Sequence, residues 1–465
     1  MDNPYLDIDR LMAGDIYTSS ETMDSLTILC DDFGSRFGGT AGERKAAEFI
    51  KDKLIAYGLS NVALEPVEYV SWQRGETKLK LTAPIERELP CISLPHSPPA
   101  SLDGEIIDLG DGGPDDFEKL SEKIPGKIVM VNSKTRPRGA TRWIHRSEKY
   151  GRALMAGAIG FIFVNHYPGY GPATGGIGNN AEAPIPGISV SYEDGKAIQR
   201  IMKRHGSVSI HLESTDSCSP GTSWNVSGEI PGSDPEAQIV MLGCHYDGHD
   251  ISQGAEDPAS GAVAVMEAAR VLAKHAGSLP HTLRFVLWGV EEIGLIGSRQ
   301  YVEDHADELG QIRFYFNMDG AGSIKQKDVV LNEWQALEQL FTKWREQMAL
   351  DYEVGQSMNA HSDHYPFLMA GVPTGGMDTA DKVLTGRGYG HTKFDTLDKV
   401  FIRGLQEAAD MAARLALRLA SVEEWPVQHR NEEEVKALFQ KPTYQEAKEI
   451  TEKIRAYRES LLAQK

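Results

Sequence analysis

Two histidines and a group of carboxylates carry the chemistry this chain is equipped for. The run QIVMLG leads into His245, and Asp257 follows twelve residues later in GAEDPASG. TLRFVLWGV leads into the pair Glu291–Glu292, IRFYFNM leads into Asp319, and His391 lies in YGHTKFDT. Imidazole nitrogen and carboxylate oxygen are donors that zinc takes at ~2.0–2.2 Å. Two ions ~3.5–4 Å apart need one carboxylate that touches both. Five residues serve such a pair if His245 and Asp319 hold one ion, Glu292 and His391 the other, and Asp257 both. Water bridging two cations loses its proton near neutral pH. Glu291, next to a ligand, is the expected general base that takes this proton on to a leaving amine. Asp247 stands two residues after His245, on the same strand face. Its expected part is to accept the other imidazole N–H and fix the tautomer. The expected cofactor is two Zn2+, with Co2+ or Mn2+ as substitutes, because carboxylate-rich sites discriminate poorly. The Asp257–Pro258 bond is expected to be cis, since proline lowers the cost of that isomer where a ligand needs an unusual turn.

Residues so far apart meet only if a fold gathers them. The first four sites lie at or just beyond the C-terminal ends of apolar strands, the edge of an open α/β sheet where ligands collect. Strands with helices between them predict a mixed, mostly parallel sheet covered on both faces. Ala46, Phe49, Ile50, Leu54 and Tyr57 recur at helical spacing, and Gly58 is the expected stop. Residues 61–83 alternate as strands, and the Pro-, Gly- and Asp-rich stretch from Pro90 to Asp116 marks a boundary. KIVMV, IGFIFV and IPGISV then predict a small inserted β-rich domain over 101–215. The expected division is 1–100 and 216–422 for the main domain, 101–215 for the insert, and 423–465 for a C-terminal helical extension. The apolar stripe of that extension, Val435, Leu438, Ile450, Ile454 and Leu461, is expected to pack onto the body.

Composition narrows the function further. A chain of 465 residues exceeds one ordinary core. Its net charge of -19 argues against nucleic-acid binding. The longest apolar stretch, ALMAGAIGFIFV, has 12 residues, short of the ~20 that span a membrane. The start MDNPYLDIDR lacks the basic and apolar pattern of a signal peptide. Four cysteines without CxxC spacing point to neither a disulfide scaffold nor a thiolate zinc site. A cytoplasmic location is the expectation, unless a leader has been removed.

GCHYDGHDISQGAEDPASGAVAVMEAARVL, LRFVLWGVEEIGLIGS, NMDG and HTKFDT, taken in order, resemble the co-catalytic zinc peptidase family of secreted bacterial aminopeptidases and plasma glutamate carboxypeptidase (carboxypeptidase Q). SRFGGTAGERKAAEFIKDKL and EPVEYVSWQRGE add to the likeness, particularly to carboxypeptidase Q. It covers roughly residues 20–420. The resemblance implies a zinc-exopeptidase fold, an inserted protease-associated domain, hydrolysis of N-terminal residues or dipeptides, and often a homodimer. Three positions depart from the family. Pro258 stands where a second acid or Asn is common. Gly390 precedes the last histidine in place of Tyr or His, which leaves Tyr389 as the residue to polarise the scissile carbonyl. His249 stands where relatives can carry an aromatic.

Blander assignments fall to other segments. His361, Asp363 and His364 of HSDHYPF read as a pocket wall, and Asp395 as a helix start or a support for His391. DLGDGGPDD reads as a turn, since it lacks the alternating ligands of a calcium loop. GYGPATGGIGNN lacks the Lys-Ser/Thr of a phosphate loop and reads as a mobile loop reaching over the site. Two rival functions share the implied fold: a glutaminyl-peptide cyclotransferase and a non-catalytic receptor-type protein. The full ligand set with its base favours a short-peptide hydrolase over both.

Overall fold

A computed structural model describes residues 2–379 and 388–462. The chain divides into two compact units: residues 1–68, 222–390 and 395–437, and residues 69–221, 391–394 and 438–465.

The first unit is built on a mixed sheet. Strands Thr282–Trp288, Ile239–His245, Ile312–Met318 and Thr374–Thr379 lie side by side in parallel. Ser217–Ile230 and Lys327–Leu331 flank them antiparallel. The central strands are buried on both faces, which explains their continuous apolar runs. Along Ile239–His245, Val240, Leu242 and Cys244 join the core beneath helices Gly261–His275 and Ile402–Ser421. Ile239 and Met241 turn to the other face, with Trp288, Tyr301, Tyr315 and Phe367. This period of two puts helices on both sides of one sheet. Helix Ala41–Ala56 begins at Thr40, whose side chain accepts the Glu43 N–H, and ends before Gly58 at φ 85°.

The second unit holds its own eight-stranded sheet. Ala100–Asp108, Ile128–Asn132, Gly160–Val164 and Gly187–Val190 run in parallel, with helices Arg146–Met155 and Tyr192–His205 between strands. The insert is thus wider than 101–215. Thr77–Ala83 pairs with Ser209–Ser214 and with Arg87–Leu89, so residues before the Pro-rich stretch complete the same sheet. Nor does 423–465 stand as one extension. Residues 423–437 go with the first unit, and helix Pro442–Leu462 goes with the second. There Ile454 packs over Gly151, where a Cβ would come within 2.5 Å of it. Arg142 joins Glu148 at 2.7 and 2.8 Å and Glu446 at 3.0 Å.

None of the four cysteines is paired. Among the described residues no helix is long and apolar enough to cross a membrane.

Candidate active site

Parallel pairing brings three strand ends level. His245 sits opposite Trp288, and Gly243 sits opposite Asn317. The loops that leave these strands therefore start side by side. From them, His245 Nε2 lies 3.6 Å from an oxygen of Asp257, 3.6 Å from one of Asp319 and 4.0 Å from one of Glu291. Ligand atoms of His245, Asp257 and Asp319 all lie within 4.8 Å of one another. His245 Nδ1 donates to the backbone carbonyl of Asp247 at 3.1 Å, which directs Nε2 at the acids.

The Asp247 carboxylate does something the sequence does not reveal. It stands 3.5 Å from His245 Nδ1, but it accepts the backbone N–H groups of Glu291 at 2.9 Å and of Glu292 at 3.3 Å. The strand stops at Trp288, and Val290 at φ 51° starts a turn. Glu291 and Glu292 thus sit in that turn, not on alternating strand faces. One carboxylate fixes both backbones, so Glu291 and Glu292 share an anchor.

The loop after His245 is shaped from below by Arg36, whose guanidinium is fully buried. It donates to the carbonyls of Tyr246 at 2.8 Å, Gln253 at 2.7 Å and Gly254 at 2.9 Å, and to Leu29 and Gly34 as well. On this loop His249 Nε2 lies 2.9 Å from Glu292 Oε2, both side chains almost wholly buried. Asp257 follows with φ −118° and ψ 97° inside an otherwise helical turn. The Asp257–Pro258 bond is cis, as the sequence reading expects, and Ala83–Pro84 is cis as well. Asp395 fixes this turn by accepting the N–H groups of Glu256 at 2.9 Å and Asp257 at 3.1 Å. Asp395 was expected as a helix start or a support of His391; the bonds it makes here grip the Glu256 and Asp257 backbone.

Asp319 ends a hydrogen-bond chain. Trp288 Nε1 donates to Tyr315, Tyr315 to Asn317 and Asn317 to Ser362, each at 2.8 Å. Ser362 Oγ then donates to Asp319 at 3.0 Å. So HSDHYPF contributes its serine. His364 is bonded to the Asn359 carbonyl at 2.9 Å, and burial pushes its pKa down to about 4. Asp363 is fully buried, and that burial raises its carboxyl to about 7.

His391 belongs to the second unit. Its backbone has φ 56°, and its carbonyl accepts the Thr174 N–H at 2.8 Å. The Thr174 carbonyl in turn accepts from Arg146 at 3.1 Å. Gly175, at φ 135°, has no room for a Cβ, which would fall 1.9 Å from the Arg146 guanidinium. The glycine-rich loop expected to be mobile is thus fastened to the segment that carries His391. Tyr389 is half-buried in a turn of the first unit.

Electrostatics fit a divalent cation at the His245 group. Burial alone would lower the His245 pKa, but Glu291, then Asp247, Asp257 and Asp319, outweigh it and raise it well above the usual value. Burial pushes Glu291 up, and Asp363, Glu292 and Asp319 add to this against His245. Carboxylates are in excess here, and a metal ion can stand where His245 would otherwise need a proton.

The comparisons with known proteins agree. Residues 225–416 match the model of Peptidase family M28, and residues 97–198 match that of the PA domain. The chain is 28% identical over 390 residues to leucine aminopeptidase 2 of Trichophyton equinum, covering 81% of this chain and 74% of that one. It is 30% identical over 309 residues to carboxypeptidase Q of Mus musculus, covering 64% and 65%. The crystal structure of a Peptidase M28 precursor from Shewanella amazonensis SB2B superposes with a TM-score of 0.76 at 26% identity, covering 91% of this chain and 98% of that one. The chain therefore carries a Peptidase family M28 domain over residues 225–416 and a PA domain over residues 97–198, the make-up of a peptide hydrolase.

Proposed function

We propose that the protein is a zinc-dependent exopeptidase that removes residues from short peptides beside a free terminus. The observation that carries this is the grouping of Glu291 with His245, Asp257 and Asp319 at 3.6–4.0 Å from the His245 nitrogen. The names of the two curated relatives, an aminopeptidase and a carboxypeptidase, both describe exopeptidases. The proposed ligands are His245, Asp257, Glu292, Asp319 and His391, serving two Zn2+ ions, with Co2+ or Mn2+ able to replace them. Bound there, divalent cations would acidify water and draw charge from the peptide carbonyl.

The rest of the mechanism lies in the chain. Glu291 accepts the proton of the attacking water and passes it to the leaving amine. Its surroundings suit this, because burial raises its proton affinity above that of a free carboxylate. Asp247 positions Glu291 and Glu292 through their backbone N–H groups. Tyr389 is the proposed donor to the carbonyl oxygen as charge develops on it.

The test is Glu291→Gln in metal-loaded protein. It should keep the wild-type metal content while kcat falls by roughly 10²–10⁴. Hydrolysis as fast as wild type would remove Glu291 as the base. Mass spectrometry of a peptide panel should show a free amino acid and a shortened chain. A cyclised product of full length would identify a cyclotransferase instead.

A further inference from the structure

We propose that His249 is itself a metal ligand, binding beside Glu292 the cation that Glu292 holds. This rests on the metal-dependent reading above and adds a donor outside the five expected from the family. His249 Nε2 lies 2.9 Å from Glu292 Oε2, with 2% and 3% of their side chains exposed. Donors held ~2.0–2.2 Å from one ion, at angles of roughly 90–110°, stand about 2.8–3.6 Å apart. The His249–Glu292 spacing falls at one end of that range. The 3.6 Å spacings from His245 to Asp257 and Asp319 fall at the other.

A hydrogen-bonded His–Glu pair can have the same length, so placement has to decide. His249 is carried by the loop that Arg36 fixes through the Tyr246, Gln253 and Gly254 carbonyls. Gly248 N–H is bound to the Ser35 carbonyl at 3.0 Å, and the His249 carbonyl accepts the Ser252 N–H at 3.2 Å. The backbone on both sides of the imidazole is therefore held. The Glu292 backbone is held by Asp247, which accepts its N–H at 3.3 Å. Two donors of suitable chemistry are thus fixed face to face, four residues from His245, in a group already rich in carboxylate. A phenyl ring in its place would fill the volume but supply no donor.

The direct test uses the wild-type holoprotein with 15N-labelled histidine and 113Cd2+ in place of the native metal. Three imidazoles coupled to cadmium, those of His245, His391 and His249, are expected. Two, with His249 uncoupled, would overturn the proposal. His249→Phe then serves as the second arm. Metal titration against a competing chelator should show one of two equivalents weakened at least tenfold, and the Co2+ visible spectrum should change. Unchanged affinity and spectrum would overturn direct ligation. Weaker binding with an unchanged spectrum would also overturn it, since His249 would then act on Glu292 from outside. Failure of the wild type to bind any metal would instead defeat the underlying functional reading.

Discussion

Asp395 shows how much a site depends on residues that never touch substrate. Its two carboxylate oxygens take the backbone N–H groups of Glu256 and Asp257. Asp395→Ala would strand two buried donors, at about 1–3 kcal/mol each, and loosen the turn that aims Asp257. Metal affinity should fall by roughly 10–100-fold, read by chelator competition; unchanged affinity would show that the turn holds without Asp395. Asp15 gives a residue-scale dependence on pH. Burial disfavours its charge, but Lys274, His275 and Arg270 outweigh burial and hold its carboxyl below the usual carboxylate range. A depressed native pKa adds stability above the unfolded value of ~3.9, and that stability is lost as pH falls through the native pKa. Denaturation midpoints between pH 5 and 2 should therefore fall more steeply for wild type than for Asp15→Asn. Parallel profiles would rule this contribution out. At this scale the ligand candidates were legible because acids and histidines end apolar runs. Asp395 and Ser362 were not, because their partners lie 138 and 43 residues away and each reads locally as a turn residue. The Asp247 carboxylate was assigned to the imidazole because strand spacing suggests it, while its backbone partners appear only once the chain turns at Val290.

Among elements, the loop from Tyr246 to Gly254 is the clearest case of shape imposed from outside. Arg36 reaches five carbonyls through its three guanidinium nitrogens, a spread that the rigid fork makes and a lysine does not. Arg36→Lys should destabilise the protein by several kcal/mol, since carbonyls are left without partners at about 1–3 kcal/mol each. Urea unfolding measures this, and a shift within error would mean the loop is held by other contacts. The strands themselves were legible: buried on both faces, they must be apolar throughout, and the alternation of Val240 and Leu242 with Met241 then divides between two helix layers. Glu291 and Glu292 were placed just beyond a strand running to Val290, because TLRFVLWGV stays apolar to there, but pairing stops at Trp288.

For the whole molecule, the limits of the second unit were the hardest to read. Composition shifts at Pro90, yet Thr77–Ala83 pairs with Ser209–Ser214, about 130 positions on, and periodicity carries no record of such distant partners. The stripe of the final helix was expected to pack onto the body, whereas the helix joins the second unit, with Ile454 over Gly151. Removing residues 441–465 should therefore raise amide exchange in Arg146–Met155 while leaving Ile239–His245 protected. Equal protection in both proteins would show that Arg146–Met155 stands without the final helix.

That discontinuous second unit sets an order of events during synthesis. Ribosomes release chains from the N-terminus, and domains generally fold as units when their residues are all available. Here the tetrapeptide 391–394 and residues 438–465 join a unit whose other residues were made long before them. A nascent chain lacking residues 438–465 would expose the apolar cluster around Tyr150, Ala153 and Leu154 against which Leu461 packs. Chaperone capture of stalled chains should therefore persist until residues 438–465 have emerged.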